Sequence, residues 1–311
     1  MWEGYKGGVI VLQIIKELTN IPHLTIALGF FDGVHLAHQK LIQNAVDFAI
    51  KNGTKSAVVT LKQQPYCFLH NISPRYILSR NDSFNIIGKL GIDYLIELDF
   101  EKISEMTSYE YLKDILVKYF SPVGIFTGFN HHFGLNREGN CDFLKKYAPE
   151  FGYKFFSLSS QKMNNELISS SAIRDYLEKG DIKNANLMLG REFFVSGTVI
   201  DGNKIGRTIN FPTANMNYPS DIIQIPNGVY SVKAEFHDGR ILKGISNFGI
   251  KPTFNNSAKI LETHILDGFD EDIYGRRIKI HFLSFIRPEQ KFGNIIELQE
   301  QIKKDIKFWH E

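Results

Sequence analysis

The hydrophobic pattern of this 311-residue chain changes period once, near residue 190, and that change constrains the fold more than any other feature. Before it, strand-like and helix-like segments alternate. Leu24-Thr-Ile-Ala-Leu-Gly-Phe30, Ser56–Leu61, Ile92–Glu97, Val123–Thr127 and Lys154–Leu158 are short apolar or β-branched runs. Gln39–Ile50 and Tyr109–Phe120 instead space their apolar residues three and four apart, as helices do. Strands alternating with helices imply right-handed β-α-β units and a parallel sheet. Ser170–Leu189 reads as two helices broken at Gly180-Asp181, and then the helical period stops. Phe193–Ile200, Gly228–Phe236, Arg240–Ser246, Ile260–Leu266 and Arg277–Leu283 follow as strands, with Asp238-Gly239 as a hairpin turn. This half reads as an antiparallel barrel or sandwich, closed by a helix over Glu297–Phe308. The chain is therefore expected to hold two domains, 1–187 and 188–311.

Composition excludes several classes. Apolar residues at 43 % and charged residues at 23 % are those of a folded soluble chain. A net charge of +2 gives no support for bulk binding to nucleic acid or to a membrane surface. Cys67 and Cys141 cannot form a disulfide framework and read as thiols of a reducing compartment, so the cytoplasm is expected. The apolar stretch Val9–Ile15 is interrupted by Gln13 and falls short of the ~18 residues of a membrane span.

Two stretches carry chemistry. Gly29-Phe-Phe-Asp-Gly-Val-His-Leu-Ala-His38 joins the first strand to the first long helix. Ligands of open parallel sheets bind beyond the carboxyl ends of the strands, and a helix start favours phosphate. His35 and His38 share a helix face there and can donate hydrogen bonds to a phosphoryl group as charge develops on it. The same spacing occurs in surface helix caps. A zinc site needs further ligands at metal-type spacing, which His131 and His132 do not provide. The second stretch is Gly202-Asn-Lys-Ile-Gly-Arg-Thr-Ile-Asn-Phe-Pro-Thr-Ala-Asn215. Gly202 and Gly206 let a backbone fold over an anion, with Lys204 and Arg207 beside it, while Thr213 and Asn215 offer oxygen ligands suited to Mg²⁺. It is not a Walker loop; a polar hairpin with a proline turn is the competing reading.

The first stretch resembles the H-x-G-H nucleotidyltransferases, and more narrowly the N-terminal module of bacterial bifunctional riboflavin kinase/FAD synthetases. Gly128-Phe-Asn-His-His-Phe-Gly134 is similar to that family's G-x-[DN]-F-x-F-G loop, and Ile168-Ser-Ser-Ser-Ala-Ile-Arg174 to its I-S-S-T-x-I-R motif. The resemblance implies ATP binding through Gly29, Phe31, Asp32, Ser169, Ser170 and Ser171, with His35, His38, Asn130 and Arg174 acting in adenylyl transfer. The chain departs from the pattern at Ala37 (for glycine), at His131 (for phenylalanine) and at Gln63-Gln64-Pro65 (for a Pro-His-Pro-like stretch).

The second stretch resembles the riboflavin kinase signature G-x-K-x-G-R-T-x-x-F-P-T-A-N, with Asn210 for a glycine. Gly228-Val-Tyr-Ser, Asn247–Phe254, Leu261–Asp267, Tyr274-Gly275 and Phe285–Phe292 follow in family order, so the resemblance spans about Leu24 to Lys307. It implies a Rossmann-like nucleotidyltransferase domain followed by an antiparallel β-barrel kinase domain with a terminal helix. The kinase would bind ATP through Gly202, Lys204, Gly206, Arg207, Thr208, Thr213 and Asn215, the last two also holding Mg²⁺. Glu262 would be the general base, and Arg287 and Phe292 would meet the flavin. The implied substrates are riboflavin, FMN and ATP; nucleic acid and membrane are not expected as partners, and self-association at most weakly. The alternative implied by the departures is a riboflavin kinase whose first domain no longer adenylylates.

Overall fold

The computed structural model describes residues 12–200, 213–252, 257–266, 271 and 273–309. Its contacts separate into two compact units: residues up to Pro74 with Arg80–Ile168, and Arg75–Ser79 with the chain from Ser169 onwards.

The first unit holds β1 (Gln13–Ile15), β2 (Leu24–Leu28), α1 (Leu36–Asn52), β3 (Lys55–Leu61), α2 (Pro65–His70), α3 (Arg80–Lys89) and β4 (Tyr94–Leu98). After these come α4 (Phe100–Ile103), α5 (Ser108–Glu110), a π-helical stretch Tyr111–Val117, α6 (Lys118–Phe120), β5 (Gly124–Gly128), α7 (Cys141–Phe151), β6 (Lys154–Leu158) and the small antiparallel pair β7 (Lys162–Met163) and β8 (Glu166–Leu167). Six strands form one sheet in the order β1-β4-β3-β2-β5-β6, and every pairing in it is parallel. The strands are apolar almost throughout because both sheet faces are covered. Leu112, Leu116, Phe120 and Leu144 pack on one face, and Ile42, Ala45, Phe84 and Ile87 on the other. The buried stripe of α1 is Leu41, Ile42, Ala45, Val46 and Ala49, the helical spacing seen in the sequence.

Several elements of this unit go beyond the sequence reading, β1, α3 and α7 among them. β1 extends the sheet by pairing with β4, with Gln13 opposite Tyr94. α3 buries just two large apolar residues, Phe84 and Ile87, so its periodicity is too sparse to read. α7 contains Pro149 and buries only Leu144, and proline in a short polar segment argues against helix.

The second unit opens with α8 (Ser170–Glu178) and α9 (Ile182–Leu189). They part at Gly180, whose φ of 76° suits glycine. Asp181 caps α9 by accepting from the Asn184 amide. Six strands follow: β9 (Phe193–Ile200), β10 (Thr213–Asn217), β11 (Gly228–Phe236), β12 (Ile241–Pro252), β13 (Ser257–Ile265) and β14 (Arg277–Pro288). They close a barrel in the order β10-β13-β12-β11-β14-β9, which decides between barrel and sandwich. The closing strand is β10, which pairs with both β13 and β9. It lies in the stretch whose polar sequence permitted a simple hairpin. Tyr230, Phe193, Phe248 and Phe282 are buried in this unit. α10 (Ile295–Phe308) follows, capped by Asn294, which accepts from the Glu297 amide.

Candidate functional sites

In the first sheet β2 lies between β3 and β5, and the chain runs from β2 to β3 on one side but from β5 to β6 on the other. This is the switch point at which parallel sheets bind ligands. Leu28 pairs with Thr127, so the turn after β2 and the loop after β5 emerge side by side. The turn is strained: Phe31, Gly33 and Val34 have φ of 56°, 74° and 41°. A branched residue at positive φ is costly and persists only when its surroundings fix it. Val34 donates to the Phe31 carbonyl at 3.1 Å, Gln39 Nε2 donates to the Val34 carbonyl at 2.8 Å, and Thr60 Oγ1 donates to the Phe30 carbonyl at 3.3 Å. A Cβ on Gly29 would stand 2.9 Å from the Phe31 ring, so glycine is required there. Phe31 and Asp32 are themselves buried. The Phe31 ring meets the edge of His38 at 5.2 Å, which makes Phe31 a support beneath the histidines, with only its backbone left to offer a ligand.

The turn delivers His35 to the N-cap of α1, where its Nδ1 accepts from the His38 amide at 3.3 Å. That acceptor role places the neutral ring's hydrogen on Nε2. The His35 and His38 rings stack at 3.6 Å and 16°. Asn130, exposed in the loop after β5, keeps Oδ1 close to Gly128. The structure thus gathers Gly29, His35, His38 and the Asn130 loop at one sheet edge.

His131 is the unexpected member of that loop. Its amide donates to the Gly128 carbonyl at 3.1 Å and its ring lies over Phe133 at 5.7 Å. Its Nε2 is enclosed without a hydrogen-bond partner among the described residues. Burial, with a smaller contribution from neighbouring His132, pushes its pKa down to about 4. The unfolded chain therefore takes up a proton near pH 6.5 that the folded chain refuses until about pH 4. Stability is retained above pH 6.5 and falls as pH drops towards 4. In thermal melts, H131F is expected to gain on the wild type progressively over that window; a constant offset between the two would refute it.

Ser169, Ser170, Ser171 and Arg174 belong to the second unit. Ser169 caps α8, its Oγ accepting from the Ala172 amide at 3.2 Å, and Arg174 Nε donates to the Arg75 carbonyl at 2.9 Å. In the same unit Tyr76 bonds to the Asp221 carbonyl and accepts from Ile223, a long-range tie with no signal in the sequence.

On the barrel, Glu262 of β13 stands opposite Asn215 of β10 on one side and opposite Asn247 of β12 on the other. Side chains directly opposite in a sheet point to one face. Leu261 and Thr263 are buried, as are their partners Phe248 and Ser246, so Glu262, Asn215 and Asn247 share the outer face, and Thr213 joins them two residues from Asn215. Asn215 is nevertheless only 5 % exposed, and its Oδ1 has no hydrogen-bond partner among the described residues. An enclosed amide oxygen without a donor fits a hard cation, which takes oxygen ligands. No cluster of three His, Cys, Asp or Glu is found among the described residues. Gly202, Lys204, Gly206, Arg207 and Thr208 lie outside the described residues.

Arg287 is anchored on one edge of its guanidinium. Its Nε and Nη2 donate to the Asp305 carboxylate at 2.9 and 2.8 Å. Asp305 is buried at 3 % exposure and also accepts from Gln301 Nε2. This edge of the fork fastens α10 to β14. Phe292 lies 5.8 Å from the guanidinium. Asn247 Nδ2 donates to Glu289 Oε1 at 3.3 Å. Asp305 and Glu289 were missed in the sequence, since nothing in a helix face or a proline-flanked loop marks an acid as buried or paired.

Two family models match the chain in succession. The FAD synthetase model matches residues 18–172 and the riboflavin kinase model residues 189–311. A bifunctional riboflavin kinase/FMN adenylyltransferase of Buchnera aphidicola (from Acyrthosiphon pisum) is 36 % identical over 303 residues, covering 95 % of this chain and 96 % of its own. Its namesake from Bacillus subtilis is 36 % identical over 286 residues, covering 90 % and 89 %. A crystal structure from Streptococcus pneumoniae, described as a macrolide-efflux protein, superposes with a TM-score of 0.86 at 28 % identity, covering 96 % of this chain and 99 % of that one. No helix among the described residues is long and apolar enough to cross a membrane. With one site on the parallel sheet, another on the closed barrel, and both models matched in chain order, the chain belongs to the bifunctional riboflavin kinase/FMN adenylyltransferase family.

Proposed function

We propose that the chain phosphorylates riboflavin with ATP to give FMN and ADP, and adenylylates FMN with a second ATP to give FAD and pyrophosphate. The observation that carries this reading is that the chain holds two separate constellations, the stacked histidines at the switch point and Glu262 between two asparagines on the barrel. The module boundary is assigned to 187/188, where the sequence pattern changes.

In the kinase reaction Glu262 accepts the proton of the riboflavin 5′-hydroxyl as that oxygen attacks the γ-phosphorus. A primary hydroxyl is a weak nucleophile, and a positioned base removes the cost of its proton in the transition state. Thr213 and Asn215 supply the oxygens for Mg²⁺, which when bound would neutralise charge on the transferring phosphoryl group. Gly202, Lys204, Gly206, Arg207 and Thr208 are assigned to the ATP phosphates, and Phe292, beside Arg287, to the flavin ring.

In adenylyl transfer the FMN phosphate is already ionised, so no strong base is needed. Catalysis rests on alignment and on donors aimed at the oxygens where charge grows. His35 Nε2–H, His38 and Asn130 are assigned to those oxygens, with Gly29 at the close backbone approach. Phe31 and Asp32 fix the turn, and Ser169, Ser170, Ser171 and Arg174 are assigned to the ATP phosphates. The reactions belong in the cytoplasm with small molecules as partners, without nucleic acid or membrane, and with weak self-association at most. Incubating the purified chain with riboflavin, ATP and Mg²⁺ should yield FMN first and then FAD. FMN accumulating with no FAD would remove the second activity from the assignment.

A further inference from the structure

Arg80, the first residue of α3, lies along the carboxyl ends of three neighbouring strands. Its Nη2 donates to the Leu61 carbonyl at the end of β3 at 2.9 Å and to Glu97 Oε1 on β4 at 2.5 Å. Its guanidinium carbon stands 5.8 Å from the ring of Phe30, which follows β2, and 5.2 Å from the ring of Phe84 on α3 itself. Glu97 is only 7 % exposed, so this carboxylate is desolvated and its pairing orients the arginine firmly. All the protein hydrogen bonds go through one nitrogen. Nε and Nη1 have no partner among the described residues, and neither is a buried atom.

An arginine fixed by a buried acid and two rings through Nη2, with its other terminal nitrogen Nη1 left to donate, is a preorganised oxyanion receptor. It stands on the same sheet edge as the β2 turn that carries His35 and His38. The reaction assigned to this edge brings two phosphate-bearing molecules together, and their mutual repulsion calls for a permanent cation. We propose that Arg80 is a phosphate-binding residue of the adenylyl-transfer site, its Nη1–H groups donating to a phosphoryl group of FMN or of ATP. The inference rests on the adenylyltransferase reading given above. It was hidden in the sequence because Arg80 follows Ser79 in a polar segment that matches no phosphate motif.

The test uses the full chain carrying R80M, with FMN adenylylation measured against each substrate in turn and riboflavin phosphorylation measured alongside. Losing a charged hydrogen-bonding partner is expected to raise one KM by about 10- to 100-fold. The substrate whose KM moves identifies the phosphate, and kinase constants should stay within about twofold. Both KM values unchanged, or a fall in kcat alone, would overturn the proposal and leave Arg80 as a brace for the turn. If R80M melts early or loses kinase activity, R80K carries the test, because it keeps a cation beside Glu97 while losing the second terminal nitrogen. A several-fold rise in the same KM is then expected, and an unchanged KM in folded R80K overturns the proposal. A wild-type chain that makes no FAD defeats the parent reading instead. In that case ATP and FMN are titrated calorimetrically into wild type and R80M, and matching isotherms overturn the role of Arg80.

Discussion

E262Q is expected to lower riboflavin phosphorylation by about 10²–10⁴-fold, while FAD formation from supplied FMN stays at the wild-type rate. The glutamine keeps the size and planarity of the side chain and can still sit opposite Asn215 and Asn247, so the barrel should remain intact. What it loses is the ability to take the hydroxyl proton. The loss should appear in kcat, with little change in the riboflavin KM, because proton acceptance matters only as the new bond forms. The fold is checked by the adenylylation rate and by a melting temperature close to wild type. Kinase activity within a few-fold of wild type would show that Glu262 is an ordinary strand residue and that the base lies elsewhere.

H35N should reduce adenylyl transfer by about 10²-fold and leave riboflavin phosphorylation unchanged. Asparagine is among the best N-cap residues, so the cap of α1 now supplied by His35 Nδ1 is retained. The imidazole Nε2–H and the stacking partner of His38 are lost together. H35A removes the cap as well and should add a stability loss of about 1 kcal/mol. The pair therefore separates chemistry from folding: both variants lose activity, but only the alanine melts early. An H35N protein that makes FAD at the wild-type rate would reduce His35 to a helix cap.

Much of this was legible in the linear pattern because it follows from local period. The strands at 24–28, 154–158, 193–200 and 228–236 announce themselves by alternation or by short apolar runs, and His35 follows a strand and opens a helix in the sequence itself. The segments that escaped have little local pattern. α3 and α7 are held by one or two apolar residues each, β1 is three residues long, and residues 75–79 join a unit distant in sequence.

The sequence by itself determined the parallel α/β character of the first half, the antiparallel β character of the second, the order of the motifs and the identity of Asn215, His35 and His38 as groups to examine, because period and residue chemistry are properties of the chain; Glu262 was singled out by the family resemblance. Only the tertiary structure decided that the second half closes as a barrel, since closure depends on β10 finding β13 and β9. It also decided that Arg287 is held on one edge by Asp305, that His131 is enclosed, and that Arg80 is anchored by Glu97. Those outcomes turn on which charge is buried beside which, and burial is set by packing among residues far apart in the chain.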